Sequence, residues 1–280
     1  MKIIFYMITS KDGQKLVSEM TIELCKVDTW FKANKLSLDI QKSSYMIFTP
    51  RNQQATNTLS NVHIANNILE RVTVTTFLGT LIDENLTWKN HITLISNKIA
   101  KNIGVIRRIR HLVSRKIHIN LYYTMIYPYI SYCNIVWAST FKSNLNCIFI
   151  LQKRFIKMIT FSNKLTSSTP LFQSLCILPI SNVNILQICV FVYQSIHKLL
   201  PICFHSVFQF NSQIHNFNTR SANNLHPNFS TTTFSQFSVS FRGPHFWNTL
   251  PVHIRNCTSV KSFKKQTIHF LLAHLNNATS

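Results

Sequence analysis

Residues 90–111 read NHITLISNKIAKNIGVIRRIRH. Ile92, Ile95, Ile99, Ile103, Ile106 and Ile109 recur every three or four residues. That is the ~3.6-residue period of a helix with one apolar face. Lys101 and Arg108 fall seven apart on the opposite side. The stretch predicts a long amphipathic helix over 90–111, and Lys98, Arg107 and Arg110 add to its charge.

The chain changes character on either side of this helix. Before it, Leu16, Met20, Leu24, Val27 and Phe31 predict a helix over 14–31. Leu36–Asp39, Tyr45–Phe48, Val62–Ile64, Val72–Val74 and Phe77–Ile82 are short β-like runs. After it, Ser114 can cap a helix that runs to about Tyr127, where Pro128 interrupts it, and Tyr129–Ala138 can resume it. A helix over 145–161 puts Ile148, Leu151, Phe155 and Ile159 inward and leaves Lys153, Arg154 and Lys157 outward. Residues 183–199 read as a mostly apolar helix. Residues 211–240 are loop-rich, and a last helix runs over 259–275 with Lys261, Lys264 and Lys265 near its start. The expected fold is α+β and mainly helical. The expected divisions are 1–84, 85–165 and 166–280.

Charge narrows the function. The formal net charge is +21, from 29 basic and 8 acidic residues. Residues 1–84 hold 9 Lys/Arg and 8 Asp/Glu, a net of +1; residues 85–280 hold 20 Lys/Arg and no acid. A segment without carboxylates cannot neutralise itself by internal ion pairs, which points to a polyanionic partner, nucleic acid first. An unbalanced remnant of high isoelectric point is the alternative. No carboxylate set for Mg²⁺ can exist beyond Glu84, and Asp83-Glu84 is the only adjacent acid pair. With 4 glycines in the chain, a Gly-rich phosphate loop is also disfavoured.

The 7 cysteines form no C-x-x-C pair, which argues against a zinc ribbon and for reduced, mostly buried thiols in an intracellular protein. The charge-free stretches 117–141 and 165–197 contain Pro and many polar residues, so no membrane span and no signal peptide are expected.

Trp30-Phe31-Lys32-Ala33-Asn34-Lys35-Leu36-Ser37-Leu38-Asp39-Ile40-Gln41-Lys42 resembles a segment of the jockey-like non-LTR retrotransposon reverse transcriptases. In that family a W-x-x-x-N-x-L-x-L-N-x-x-K-[ST] stretch closes the palm; here Asp39 stands where Asn is usual. Phe77-Leu78-Gly79-Thr80-Leu81-Ile82-Asp83 is similar to the primer grip. Leu86-x-Trp88-x-x-His91-Ile92 and the isoleucine-rich helix resemble the thumb. Pro128-Tyr129-Ile130-x-Tyr132-Cys133, Leu151-Gln152-Lys153-Arg154 and Gly243-Pro244-x-x-Trp247-Asn248-x-Leu250-Pro251 continue the resemblance. It covers about residues 14–275, and its specificity lies in the order and spacing of the pieces.

The resemblance implies a partial palm edge, a helical thumb-like region and a loop-rich C-terminal region of an RNA-directed DNA polymerase. RNA template and DNA primer are the implied partners, and Mg²⁺ is the full-length family's metal. The family's aromatic-Ala-Asp-Asp turn is expected just before residue 11, where this chain reads MKIIFYMITS. The chain is therefore expected to be inactive alone, to hold no cofactor and to retain template–primer binding. Lys42 matches the palm lysine, and Phe77, Leu78 and Gly79 match the primer grip. Lys98, Lys101, Arg107, Arg108 and Arg110 match the helix that lies along the duplex. A solvated turn lysine, a buried edge strand with a structural turn and a solvated helix face are the alternatives. Trp88, Trp137 and Trp247 carry rings for base stacking, with core packing as the alternative. A non-enzymatic RNA or RNA–DNA binding protein, or a functionless remnant, remains as the second reading.

Overall fold

The computed structural model describes residues 6–10, 12–48, 61–64, 67–214 and 219–275. It divides into two compact units, residues 1–90 and 91–280.

The first unit opens with α1 (Gly13–Ala33), where the Asp12 carboxylate accepts from the Gln14 amide at 3.1 Å. The helix buries Val17 and packs Met20 and Leu24 on Val62, Ile64 and Leu69. Six short strands follow: β1 (Ser44–Tyr45), β2 (His63–Ile64), β3 (Asn67–Ile68), β4 (Glu70–Arg71), β5 (Val74–Phe77) and β6 (Thr80–Asp83). β1 pairs with β4 in parallel, while β2–β3 and β5–β6 are antiparallel. Two expectations change here. Leu36–Asp39 is not a strand but leads into a 3₁₀ turn at Ile40–Lys42. Residues 77–82 are not one strand but the tip and return arm of the β5–β6 hairpin, with Phe77 opposite Thr80. Leu78 and Gly79 both take positive φ, 46° and 77°, as a two-residue primed turn demands.

The second unit is helical. Its order is α2 (Lys89–Ile109), α3 (Arg115–Leu121), a π-helical turn at Tyr122–Ile126, α4 (Tyr127–Ser131), α5 (Asn134–Trp137) and α6 (Lys142–Ile159). Then come α7 (Thr169–Ser174), α8 (Ile180–Ile196), α9 (Asn211–Ile214), α10 (Thr233–Gln236), α11 (Val239–Thr249), α12 (Val252–Arg255) and α13 (Val260–Ala273). The boundary expected at 165/166 has no counterpart, because α8 packs against α5, α6, α11 and α13. The core around α8 includes Val192, Tyr193, Phe208, Trp247 and Phe263. Tyr193 and Phe263 stack with centroids 4.5 Å apart, and the Tyr193 hydroxyl donates to the Cys257 carbonyl at 2.7 Å.

The Gly243–Pro244 motif has a structural explanation here. A Cβ on Gly243 would come within 2.6 Å of the Phe208 ring and 2.9 Å of Val192, so only glycine lets α11 approach this closely. Pro244 sits inside the helix without an N–H, which frees the Ser240 carbonyl. The Asn228 side chain donates to that carbonyl at 3.0 Å. Asn248 both accepts from and donates to the Leu225 backbone, each bond 2.9 Å.

Four helices end alike. After α1, α6, α7 and α8, residues Lys35, Phe161, Cys176 and Lys198 take φ between 52° and 55°. The following amides reach back to close the last turn: Leu36 to Phe31, Ser162 to Lys157, Ile177 to Phe172 and Leu199 to Gln194, at 2.8–3.1 Å. This is the Schellman arrangement, in which glycine normally fills the left-handed position. Each bulkier residue strains the backbone there. Lys35→Gly, Cys176→Gly and Lys198→Gly, made singly, should each raise stability by about 1 kcal/mol. Urea midpoints check this, and a lowered midpoint would contradict the strain assignment.

Cysteine usage departs from expectation. All seven thiols are free, but Cys25, Cys147, Cys176 and Cys203 are exposed, and only Cys189 and Cys257 are buried. Among the described residues, no helix is long and apolar enough to cross a membrane.

Candidate nucleic-acid interface

α2 buries Ile92, Ile95, Ile99 and Ile106, the face its periodicity predicts. Two side-chain anchors fix its rotation. His91 sits 5.5 Å from the Trp137 ring, and its pKa is pushed down, first by burial and then by the Lys98 charge. Asn102 donates to the Met125 carbonyl at 2.6 Å, inside the π-helical turn that precedes Pro128. With the inner face held, Lys98, Lys101, Arg107 and Arg108 are exposed and Arg110 is half-buried.

Gly104 lies on the outer face, and a Cβ there would meet nothing within 4 Å. Packing within the chain therefore does not require this glycine, although glycine in an exposed helix interior is destabilising. Val105 and Leu112 are also exposed beside the cations. Ammonium and guanidinium groups on an exposed helix surface can meet phosphates but offer no fixed pattern for reading base edges.

No carboxylate competes for these cations within the second unit. The ion pairs among the described residues, Lys15–Glu19, Lys26–Glu23, Lys32–Asp28, Lys42–Asp39 and Arg71–Glu84, all lie in the first. Lys98 sits 5.8 Å from the Tyr129 ring centroid, a weak cation–π contact. Arg110 lies 5.5 Å from the Phe161 ring centroid, and its Nε donates to His111 Nε2 at 2.9 Å.

The other sequence-derived candidates belong to the first unit. Lys42 pairs with Asp39 at 2.7 Å. Each charge stabilises the other: Asp39 titrates below, and Lys42 above, its ordinary range. Asp39, which stands where the resembled segment usually has Asn, thus occupies Lys42. Phe77, Leu78 and Gly79 form the hairpin tip, with Leu78 68% exposed.

Trp88, Trp137 and Trp247 are buried, so none offers a stacking face to a partner. The exposed aromatics are elsewhere. Trp30 and Phe161 are 53% and 59% exposed, and the sequence reading singled out neither as a platform.

The Mg²⁺ implied by the family resemblance does not fit the carboxylates present. Asp83 accepts from the Thr87 and Trp88 amides at 2.8 and 2.9 Å, holding a turn in which Leu86 and Trp88 take positive φ. Glu84 is paired with Arg71 at 3.3 Å. The one adjacent acid pair is thus committed to structure.

Comparison with protein-family models, curated proteins and solved structures finds no match. Arg107 and Arg108 lie in the last turn of α2, adjacent and exposed, and no acid follows them in the chain.

Proposed function

We propose that the chain is a nucleic-acid-binding fragment of a non-LTR retrotransposon reverse transcriptase. On this reading it is inactive as a polymerase by itself and uses the exposed face of α2 to hold a template–primer duplex. The observation that carries the binding role is the set of exposed cations Lys98, Lys101, Arg107 and Arg108 on α2, in a unit with no Asp or Glu to neutralise them. The polymerase origin rests on the ordered sequence resemblance over about residues 14–275.

The test is a binding measurement on an RNA–DNA hybrid of mixed sequence. Arg107→Ala with Arg108→Ala should weaken affinity by roughly one to two orders of magnitude at low salt, because two phosphate contacts are lost. The loss should be uniform across hybrid sequences, since these contacts position the duplex and do not read bases. Parental affinity in the double variant would remove α2 from the interface. A loss confined to one sequence would replace positioning with base readout.

A further inference from the structure

Phe161 is in an unexpected place for a large ring. It fills the left-handed position after α6, at φ 52°, where a side chain is strained. Burial does not explain the choice, because the residue is 59% exposed. Two flat polar groups gather against it. The Arg110 guanidinium carbon lies 5.5 Å from the ring centroid, and the His111 ring lies 5.3 Å away at 42°. Arg110 Nε donates to His111 Nε2 at 2.9 Å. The guanidinium's terminal N–H groups are not used in that bond. The segment after the ring is held by Lys157, whose ammonium donates to the Lys164 carbonyl.

We propose that Phe161, with Arg110 and His111, is a stacking platform for one unpaired base of single-stranded nucleic acid. A base within a strand has a free face only when it is unpaired, and an aromatic ring with a neighbouring guanidinium matches that face and the phosphate beside it. A hydrocarbon partner would use the ring but leave the guanidinium unmatched. An acidic peptide would match the guanidinium but not the strained, exposed ring. The platform lies at the end of the helix whose outward residues include Lys153 and Arg154, in a region with no acid. It rests on the nucleic-acid reading above and adds to it: α2 holds duplex, and Phe161 takes an unpaired nucleotide.

The experiment uses the full chain with two probes, a blunt RNA–DNA hybrid and a single-stranded oligonucleotide carrying 2-aminopurine. The parent protein should quench 2-aminopurine fluorescence on binding. Phe161→Ala should lower single-strand affinity roughly five- to hundredfold, the range of one base–aromatic stack, and leave hybrid affinity unchanged. Phe161→Trp should restore both quenching and affinity. Phe161→Gly removes the ring while relaxing the backbone, so it should lose single-strand binding without losing stability. Single-strand binding equal to the parent in both the Ala and Gly variants, with hybrid binding intact, overturns the platform alone. Failure of the parent protein to bind either probe overturns the nucleic-acid reading and the platform with it.

Discussion

Affinity for an RNA–DNA hybrid should fall roughly a hundredfold as monovalent salt rises from about 50 to about 200 mM, for four phosphates neutralised and a logarithmic slope of about −3.6. The four cations are Lys98, Lys101, Arg107 and Arg108, all exposed on α2. A steeper slope would mean that further cations of the second unit also reach phosphate. The slope alone does not localise the contact, because any chain of net charge +21 attracts a polyanion. Localisation comes from comparing two sets of alanines. Arg107→Ala with Arg108→Ala should make the slope shallower by about 2, one for each lost phosphate contact. Lys261→Ala with Lys264→Ala removes two exposed charges from α13 and should leave the slope where it was. Equal changes from both pairs would mean diffuse attraction, with no face of the molecule selected. Filter binding or anisotropy at four or five salt concentrations decides between the two.

The parts of the fold that were legible in the sequence are those where one period runs unbroken. α2 has six isoleucines in register, a signal that the single Gly104 does not break, and its exposed cations follow from the same register. α1 and α13 are legible for the same reason. What was missed lies where the usual punctuation is absent or misleading. The β5–β6 turn carries Leu at its first left-handed position, so neither Asn-Gly nor Asp-Gly marks it. Helix ends at Lys35, Phe161, Cys176 and Lys198 lack the glycine that would have announced them. α11 contains Gly243 and Pro244, two residues that normally argue against a helix. Their use is tertiary: close approach to Phe208 and Val192, and a freed carbonyl taken by Asn228. The same blindness hid Phe161, whose interest comes from an exposed ring in a strained position. The exposed cations of α2 were thus readable from sequence, while the exposed ring and the committed state of Asp39, Asp83 and Glu84 were not.

The largest loss of stability should come from Gln152. Periodicity assigned Leu151 to the core of α6, but Leu151 is half-buried and Gln152 is fully buried. Its amide explains the shift. Nε2 donates to the Tyr122 hydroxyl at 2.9 Å and to the Leu178 carbonyl at 3.1 Å, while Oε1 accepts from the Ile180 amide at 2.8 Å. Ile180 opens α8, and Pro179 before it has no side chain able to cap the helix, so Gln152 supplies the cap from another element. Gln152→Met keeps the length and approximate volume of the side chain but leaves three buried polar groups without their partner. At about 1–3 kcal/mol for each stranded group, with relaxation recovering part, the expected cost is about 3–5 kcal/mol. Tyr122→Phe removes only the hydroxyl and should cost about 1 kcal/mol, with a double variant less destabilised than the sum. A loss for Gln152→Met below that of Tyr122→Phe would mean that the α8 cap contributes nothing. The consequence for binding separates structure from interface. Gln152 touches no exposed cation, so under conditions where the variant is still folded its hybrid affinity should equal the parent's, and any apparent loss should track the unfolded fraction. Reduced affinity in the fully folded variant would mean instead that the seating of α8 on α6 sets the geometry of the nucleic-acid surface.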